Sequence, residues 1–276
     1  MSLAVKRFNI VKMVLNKSMF DENVIHMILK YYWKDLKNKR KVLLDWINID
    51  KIHWGVLSKN INAVDLIKKQ IEYENTLSEK EYDNLIYFKK INWYYLSNNI
   101  NAIHIIENNL DKIDWDYLSG NPNAIDLLKI RIEYENLLDY DDYFEHKIDW
   151  KRLSKNPNAI NLLKENQDKI DWELLSENAN AIDLLKKRII YEKSLFKDKY
   201  YILHDYNKIN WYCLSSNTNA IELLIENKDK INWDNLSLNP NAIELLKANQ
   251  DKLNWNCLSS NPNAIDLLKE NQDKID

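Results

Sequence analysis

Apolar residues recur along this chain with a period of 22 residues. Counting each repeat tryptophan as position 0, every unit carries Leu at +3, Ser at +4, Asn at +6 and +8, and Ala at +9. Some units are followed by an insertion of 13 or 17 residues before the next unit begins. Agreement in all eight units identifies residues 51–276 as an array of one structural unit. The repeat tryptophans are Trp54, Trp93, Trp115, Trp150, Trp172, Trp211, Trp233 and Trp255.

The apolar positions of each unit predict two helices. Ala at +9, Ile or Val at +10 and Leu or Ile at +12 and +13 lie along one side of a helix. The asparagine at +6 is a good N-cap, and the proline found at +7 in four units suits the first helical position. The longer helix is therefore predicted to begin at Asn-Pro-Asn-Ala. An Asp or Asn before the tryptophan, replaced by His53 in the first unit, predicts a brief second helix that points Trp and the +3 leucine inward.

These units predict an all-α fold, a solenoid of short helix pairs in which 22-residue units alternate with extended units. One unit buries too few apolar side chains to offset the entropy of ordering its backbone, so stability has to come from stacking on its neighbours. A leucine-rich repeat has units of similar length, but its strand needs an inward residue at +5, where this sequence is irregular. Two glycines and four prolines also argue against a turn-rich β fold.

The two ends of the chain depart from the repeat. Residues 1–50 predict a helical N-terminal cap, with apolar residues at helical spacing from Val24 to Tyr32. The alternative is an F-box-like helix pair over residues 18–45 that would recruit a ubiquitin ligase. Five residues carry that resemblance: Phe20, Glu22, Ile25, Ile28 and Leu29. The other end, at Lys274–Asp276, is predicted to be uncapped, either because it pairs with another molecule or because the array is longer than this chain.

The three insertions begin alike, with "QIEYENTL", "RIEYENLL" and "RIIYEKSL". Each predicts that the longer helix continues for about two turns, with Ile71, Ile132 and Ile190 preceding a Tyr-Glu pair. Insertions that recur at regular places along a solenoid favour the interpretation that they form a contact surface. The alternative is that the insertions are helical flanges that pack on one another. The candidate protein-binding residues are Tyr73, Glu74, Tyr134, Glu135, Tyr191 and Glu192.

The constant polar residues of the repeat predict structural roles. Because Asn at +6 and +8 does not vary between units, it could not encode a ligand sequence, and a ladder of amides that satisfies backbone groups between units is expected. The serine at +4 has no histidine at a fixed offset and is interpreted as a hydrogen bonder at a helix end. The tryptophan at position 0 is expected in the core.

The sequence predicts no catalytic or metal centre, no enzyme activity and no cofactor. The histidines have no second His or Cys within a helical turn, and two glycines leave no room for a phosphate-binding loop. The histidines of the chain are His26, His53, His104, His146 and His204. A net charge of -3 makes nucleic acid a poor partner, and no apolar run is long enough for a membrane span. Cys213 and Cys257 stand in equivalent places two units apart, too far for a disulfide, which indicates a reducing compartment.

The phrase "NPNAIDLLKENQDKID", varied across residues 51–276, resembles the tryptophan-containing repeats of many proteins from giant DNA viruses of amoebae, the mimivirus-like group. The resemblance implies a viral repeat protein in the host cytoplasm or associated with the virion, and it supplies no activity and no functional residues. The leading hypothesis is a non-enzymatic scaffold for protein–protein interaction between virus and host, with a host or viral protein as partner. The alternatives are a ligase adaptor working through residues 18–45 and a structural component that self-associates through its C-terminal end.

Overall fold

A computed structural model describes residues 48–137 and 147–274 of the chain. This part of the protein is all-α and of the solenoid type, as predicted, and none of its residues forms a strand. The α-helices are Trp54–Leu57, Val64–Glu74, Glu79–Asn84, Trp93–Ser97, Ile103–Ile106, Trp115–Ser119, Ile125–Asn136, Trp150–Lys155, Ile160–Glu165, Trp172–Leu175, Ile182–Ser194, Lys197–Tyr201, Trp211–Ser216, Ile221–Ile225, Trp233–Leu238, Ile243–Lys247, Trp255–Leu258 and Ile265–Glu270. The 3₁₀ helices are Ile49–Lys51, Tyr87–Lys89, Gln167–Lys169, Asp205–Asn207, Lys228–Lys230, Gln250–Lys252 and Gln272–Lys274.

The chain divides into two compact units, Met1–Asn108 and Asn109–Asp276. The described part of the first holds the repeats that begin at Trp54 and Trp93, and the second holds the other repeats. The boundary that the sequence predicts at residue 50 falls inside the first compact unit. The predicted N-terminal cap lies almost wholly outside the described residues, and so does the F-box-like pair. Both stay predictions.

Each repeat contains a tryptophan helix, which begins at position 0, and an isoleucine helix, which begins at the Ile or Val at +10. The residue before the tryptophan caps the first of these, as predicted: Asp171 Oδ1 accepts the N–H of Leu174 at 2.9 Å. His53 takes the same role in the first repeat, where its Nδ1 accepts the N–H of Val56 at 3.2 Å. In the second compact unit, the tryptophan helix packs on that of the next repeat at the junctions that follow Trp115, Trp150, Trp211 and Trp233.

The isoleucine helix begins three residues later than the sequence predicts, with its first residue at +10 where +7 was expected. In the Trp150 repeat it spans Ile160–Glu165, and the expected N-cap, Asn156, lies outside it. Asn156 instead closes a turn, since its Oδ1 accepts the N–H of Asn158 at 3.0 Å, and Ala159 with φ -85° and ψ 7° joins the turn to the helix. The predicted start at Asn-Pro-Asn-Ala is therefore wrong. The turn leaves the amide of Asn156 free to reach the preceding repeat.

Asparagine amides connect each repeat to the one before it, as predicted. At all six described junctions within the compact units, the amide at +6 donates to the backbone carbonyl of the preceding +4 serine at 2.9–3.1 Å. The amide at +8 donates to the preceding +7 carbonyl at 2.8–2.9 Å. Only the carbonyl at +7 is used, which explains why this position accepts Pro, Ile, Ala or Thr.

The serine at +4 makes one hydrogen bond within its own repeat and a second to the next repeat. Its hydroxyl donates to the carbonyl of its own tryptophan, as in Ser154 to Trp150 at 2.7 Å. Its oxygen accepts the backbone N–H of the residue that precedes the next tryptophan, at 3.0–3.3 Å across the six junctions. The predicted role at a helix end is confirmed. The bond to the next repeat adds a second role to it.

Small and aliphatic residues fill the core of the array. Among the repeats with a described neighbour on both sides, the +3 leucine, the +9 alanine and the +13 aliphatic residue are at most about 1% exposed. The tryptophans lie farther out than expected: only Trp54 and Trp172 are buried in the described residues, and the other repeat tryptophans are half-buried. A lysine lies over the ring of Trp150, Trp233 and Trp255, with Lys169 Nζ 4.9 Å from the Trp150 ring centroid.

The residue at +16 decides whether a repeat is plain or extended. In plain repeats of the second compact unit it is an asparagine at the C-cap of the isoleucine helix or one residue beyond it, as Asn166 with φ -130° and ψ 52°. Its amide bonds back to the carbonyl of Leu162 at 2.8 Å. In extended repeats it is Gln70, Arg131 or Arg188, and the isoleucine helix runs for 11 to 13 residues. The predicted continuation for about two turns is confirmed.

The described insertions fold back on their own repeat. Tyr87–Lys89 packs on the tryptophan helix Trp54–Leu57, and Asp205–Asn207 packs on Trp172–Leu175. A Ser78–Glu81 capping box starts the helix Glu79–Asn84 in the first of them. Most of the middle insertion, residues 138–146, lies outside the described residues. Each described insertion thus packs on the tryptophan helix of the repeat that carries it.

Candidate functional site

The six residues predicted to bind a partner separate into two groups. Tyr73, Tyr134 and Tyr191 are 45–50% exposed on the outer side of the extended isoleucine helices. The neighbouring glutamates point inward, and Glu74 and Glu192 are only 8% exposed. Adjacent helical positions face different directions, which the sequence pattern does not separate. The tyrosines are therefore more exposed than the glutamates, of which Glu74 and Glu192 are buried and Glu135 is half-buried.

Each inward glutamate anchors the end of its insertion. Glu74 accepts the backbone N–H of Ile91 at 2.8 Å, and Glu192 accepts that of Ile209 at 2.8 Å. Glu135 accepts the N–H of Ile148 at 3.1 Å. These isoleucines precede the next tryptophan by two residues, so the carboxylate fixes where the chain rejoins the array. These glutamates were predicted to bind a partner. In the structure, their carboxylates accept hydrogen bonds from the end of their own insertion.

Arginine links the inward glutamate to the outward tyrosine. The Arg188 guanidinium lies 4.9 Å from the Trp172 ring centroid and 4.8 Å from that of Tyr191. Its Nε is 3.4 Å from Glu192 Oε1, and its Nη2 donates to the carbonyl of Asn207. A cation between two aromatic faces and beside a carboxylate restricts all of these side chains. The outward tyrosine is therefore held in place.

Arg131 makes the same stack in the preceding extended repeat. Its guanidinium lies 4.9 Å from the Trp115 ring centroid and 5.4 Å from that of Tyr134, with Nε 2.9 Å from Glu135 Oε1. The sequence analysis did not single out the arginines. The available signal was Arg at +16 in two extended units, four residues before Glu, since residues at i and i+4 are neighbours on a helix.

Burial raises the pKa of two acidic groups, Glu192 and Tyr200, in the Trp172 repeat. Desolvation raises the pKa of Glu192, and the N–H of Ile209 and the charge of Arg188 offset only part of that effect. Burial, followed by the nearby Glu192 charge, also raises the pKa of Tyr200. The site therefore favours the less charged form of both groups.

The first extended repeat replaces arginine with Gln70. Its Nε2 donates to Glu74 Oε1 at 3.3 Å and to the carbonyl of Lys89 at 3.0 Å. A cavity of about 550 Å³ lies at this repeat, and its lining includes Gln70, Trp54 and Tyr73. The anchoring function of the glutamate is kept without the aromatic stack.

The insertion of the Trp172 repeat exposes three large apolar side chains close together in sequence. Phe196, Tyr201 and Ile202 are 79%, 75% and 79% exposed. Of the three, Tyr201 also lines a cavity of about 310 Å³, together with Leu195 and Tyr200. Exposed apolar residues that cluster mark contact sites more often than isolated ones do. These residues have no counterpart in plain repeats, and this absence was the only signal for them in the sequence.

Other chemistry is limited in the part of the chain that the structure describes. Cys213 and Cys257 are free, and burial together with the Glu177 carboxylate raises the pKa of Cys213 to about 11. Residues 48–137 and 147–274 contain no group of three or more His, Cys, Asp and Glu side chains that could hold a metal ion. No helix in the same ranges is long and apolar enough to cross a membrane.

Comparison of this chain with protein-family models, with curated proteins and with solved structures finds no match.

Proposed function

We propose that the protein is a non-enzymatic scaffold that binds another protein through the outer surface of its extended repeats. The observation that carries the proposal is the exposure of Phe196, Tyr201 and Ile202, three large apolar side chains within seven residues of one insertion. Aromatic residues supply much of the binding energy at protein interfaces. A plain repeat has no equivalent surface.

The anchored insertion favours binding because little entropy is lost when a partner docks. Glu192 fixes the point where the insertion ends, and the Arg188 guanidinium contacts the rings of both Tyr191 and Trp172. A side chain that is already ordered avoids part of the entropy loss that accompanies association. The insertion thus presents apolar groups from a pre-organised support.

The kind of partner follows from the resemblance to repeat proteins of giant viruses. It implies a host or viral protein met in the host cytoplasm or in the virion. The cavity lined by Tyr201 also carries three lysines, Lys193, Lys197 and Lys230, against two acidic residues, Glu192 and Asp229. A partner segment with apolar side chains and a flanking carboxylate complements this surface.

Affinity capture from amoebal lysate tests the proposal. Phe196→Ser combined with Ile202→Ser removes the apolar cluster at two exposed positions, so the fold should be retained. Ile225→Ser is the matched control, because Ile225 is an exposed isoleucine in a plain repeat. A protein retained by the wild type and by the control, and lost from the double variant, supports the proposal. Equal retention by all three forms, or retention by none, contradicts it.

A further inference from the structure

The cavity of about 310 Å³ lies between the Trp172 repeat and the Trp211 repeat. One wall comes from the insertion of the Trp172 repeat and includes Leu195 and Tyr200. The other wall comes from the Trp211 repeat and includes Trp211 itself and Asn227. Both walls belong to the second compact unit. The volume is at the lower end of the range for ligand pockets, so the cavity suits one large side chain.

The ring of Trp211 differs from the rings of the other plain repeats in this compact unit. In those repeats the lysine at +19 lies over the tryptophan ring, with Nζ 4.9–5.0 Å from the centroid. At Trp211 the equivalent lysine, Lys230, instead lies 3.7 Å from Asp229 Oδ2. Of the lysines and arginines in residues 48–137 and 147–274, none lies over the Trp211 ring, and this ring lines the cavity. The repeats used in the comparison are those of Trp150, Trp233 and Trp255.

The rim of the cavity is basic. It carries the exposed side chains of Lys193, Lys197 and Lys230. Of the two acidic residues in the lining, Asp229 pairs with Lys230, and the buried Glu192 already accepts a hydrogen bond from the end of the insertion. Lys193 and Lys197 form no ion pair with any residue that the structure describes. Two lysines are therefore left to meet a negative charge from a ligand.

We propose that this cavity receives one aromatic side chain of the partner protein, and that carboxylates beside it in the partner sequence pair with Lys193 and Lys197. The inference rests on the proposed function and names the chemistry of the partner segment. An aromatic ring packs on Trp211 in the offset or edge-on geometry that such pairs prefer. A cationic side chain also stacks on tryptophan, but the lysines of the rim repel it. The occupant is an acidic segment with one aromatic anchor.

The occupant also joins two repeats that are less firmly connected than their neighbours. The +6 amide of Asn217 donates to the carbonyl of Ser176 at 3.0 Å and to no second carbonyl among the described residues. At the other five described junctions the equivalent amide reaches two carbonyls. The tryptophan helices pack less extensively here than at the junction that follows Trp211. A side chain held between the two walls should therefore slow the local opening of this junction.

Selection of phage-displayed random peptides on the full 276-residue chain tests the inference. Lys193→Glu combined with Lys197→Glu reverses the charge of the rim at two exposed positions. Lys187→Glu combined with Lys199→Glu is the charge-matched control, because these exposed lysines lie on the same two helices and do not line the cavity. Tyr201→Ser alters the wall without a change of charge, at a position that is 75% exposed. Circular dichroism should show that all of these variants keep their helix content.

The wild type and the control should select peptides with an aromatic residue flanked by Asp or Glu. Fluorescence anisotropy of one selected peptide should show a Kd raised by about tenfold or more in the rim variant, and a smaller rise in Tyr201→Ser. The bound peptide should slow hydrogen exchange in both walls, residues 189–201 and 211–230. Selected peptides without the acidic and aromatic pattern, no selected peptide at all, or equal binding to the rim variant and the control would overturn the inference.

The peptide selection and the lysate capture can fail separately. Phe196 and Ile202 do not line the cavity, so the variant that carries Phe196→Ser and Ile202→Ser should still bind the selected peptide. If the selection fails while the lysate capture gives its expected result, the cavity inference is wrong and the proposed function stands. If the selection succeeds and the capture fails, the cavity inference stands and the binding role of Phe196 and Ile202 is wrong.

Discussion

The side-chain amide of Asn156 donates to the backbone carbonyl of Ser119 at 3.0 Å, across 37 residues of sequence. The same amide donates to the carbonyl of Asn121 at 3.0 Å, and Asn156 is 1% exposed. One side chain thus satisfies two carbonyls of the neighbouring repeat. Such a contact makes the stability of each repeat depend on the repeat beside it.

Asn178→Asp should destabilise the second compact unit strongly. The new side chain can still accept the N–H of Asn180, but its second oxygen faces the carbonyls of Ser154 and Asn156. A buried carboxylate against two acceptors lowers the free energy of unfolding by about 3 kcal/mol or more. Urea unfolding followed by tryptophan fluorescence measures this change. Asn161→Asp is the control at an exposed position and should leave the urea midpoint unchanged. Similar midpoints for the two variants would contradict the role given to the Asn178 amide.

Ser154→Ala should remove a connection between repeats without removing apolar contacts. The backbone N–H of Asp171 loses its acceptor at 3.1 Å in a buried position. An unsatisfied buried donor lowers the free energy of unfolding by about 1–3 kcal/mol. Calorimetry should show a lower Tm, and hydrogen exchange should be faster at Asp171. Ser260→Ala, at an exposed serine in the Trp255 repeat, should change neither quantity.

Arg188→Ala and Arg188→Gln should differ. The alanine variant leaves the buried Glu192 without its cation and should lower the free energy of unfolding by about 2 kcal/mol or more. Glutamine should lose less, because Gln70 at the equivalent position donates to its own glutamate and to a backbone carbonyl. Urea unfolding of both variants measures the difference. Equal losses would contradict the hydrogen-bonding role and leave only the lost aromatic stack to account for the effect.

Glu192 should make the protein more stable as the pH falls from neutral. Because its pKa is raised in the folded state, the folded protein binds a proton more readily than the unfolded chain does. The resulting stabilisation is fully present below the ordinary value of 4.5 and is lost as the pH rises through the raised folded value. Glu192→Gln should flatten that part of the profile of urea midpoint against pH. A variant profile parallel to that of the wild type would contradict the assignment.

Cys213 should react slowly with thiol reagents. Its pKa rises from 9.0 to about 11, so the thiolate fraction near pH 8 falls by a factor of about 100. Labelling of the Cys257→Ser variant with iodoacetamide, followed by mass spectrometry, isolates the Cys213 rate. The same variant unfolded in urea provides the reference. Equal rates in the folded and unfolded protein would be inconsistent with the half-buried position of Cys213 beside Glu177.

The repeat, the helix class, the cap before each tryptophan and the amide ladder could all be predicted from the sequence. These features depend on residues close together in the chain or on the same position in every unit. Asp171 caps its helix through a residue three positions away, and a constant asparagine has the same neighbour at each junction. Local interactions that recur in every unit are therefore enough to determine the architecture.

Only the tertiary structure decided which side chains are available to a partner. Glu192 and Tyr191 are adjacent, yet the carboxylate is anchored 17 residues away at Ile209 while the ring faces outward. The start of the isoleucine helix was decided in the same way, because Asn156 reaches carbonyls in another repeat instead of capping its own helix. These roles depend on groups that meet only after the repeats stack, and no local pattern contains that information.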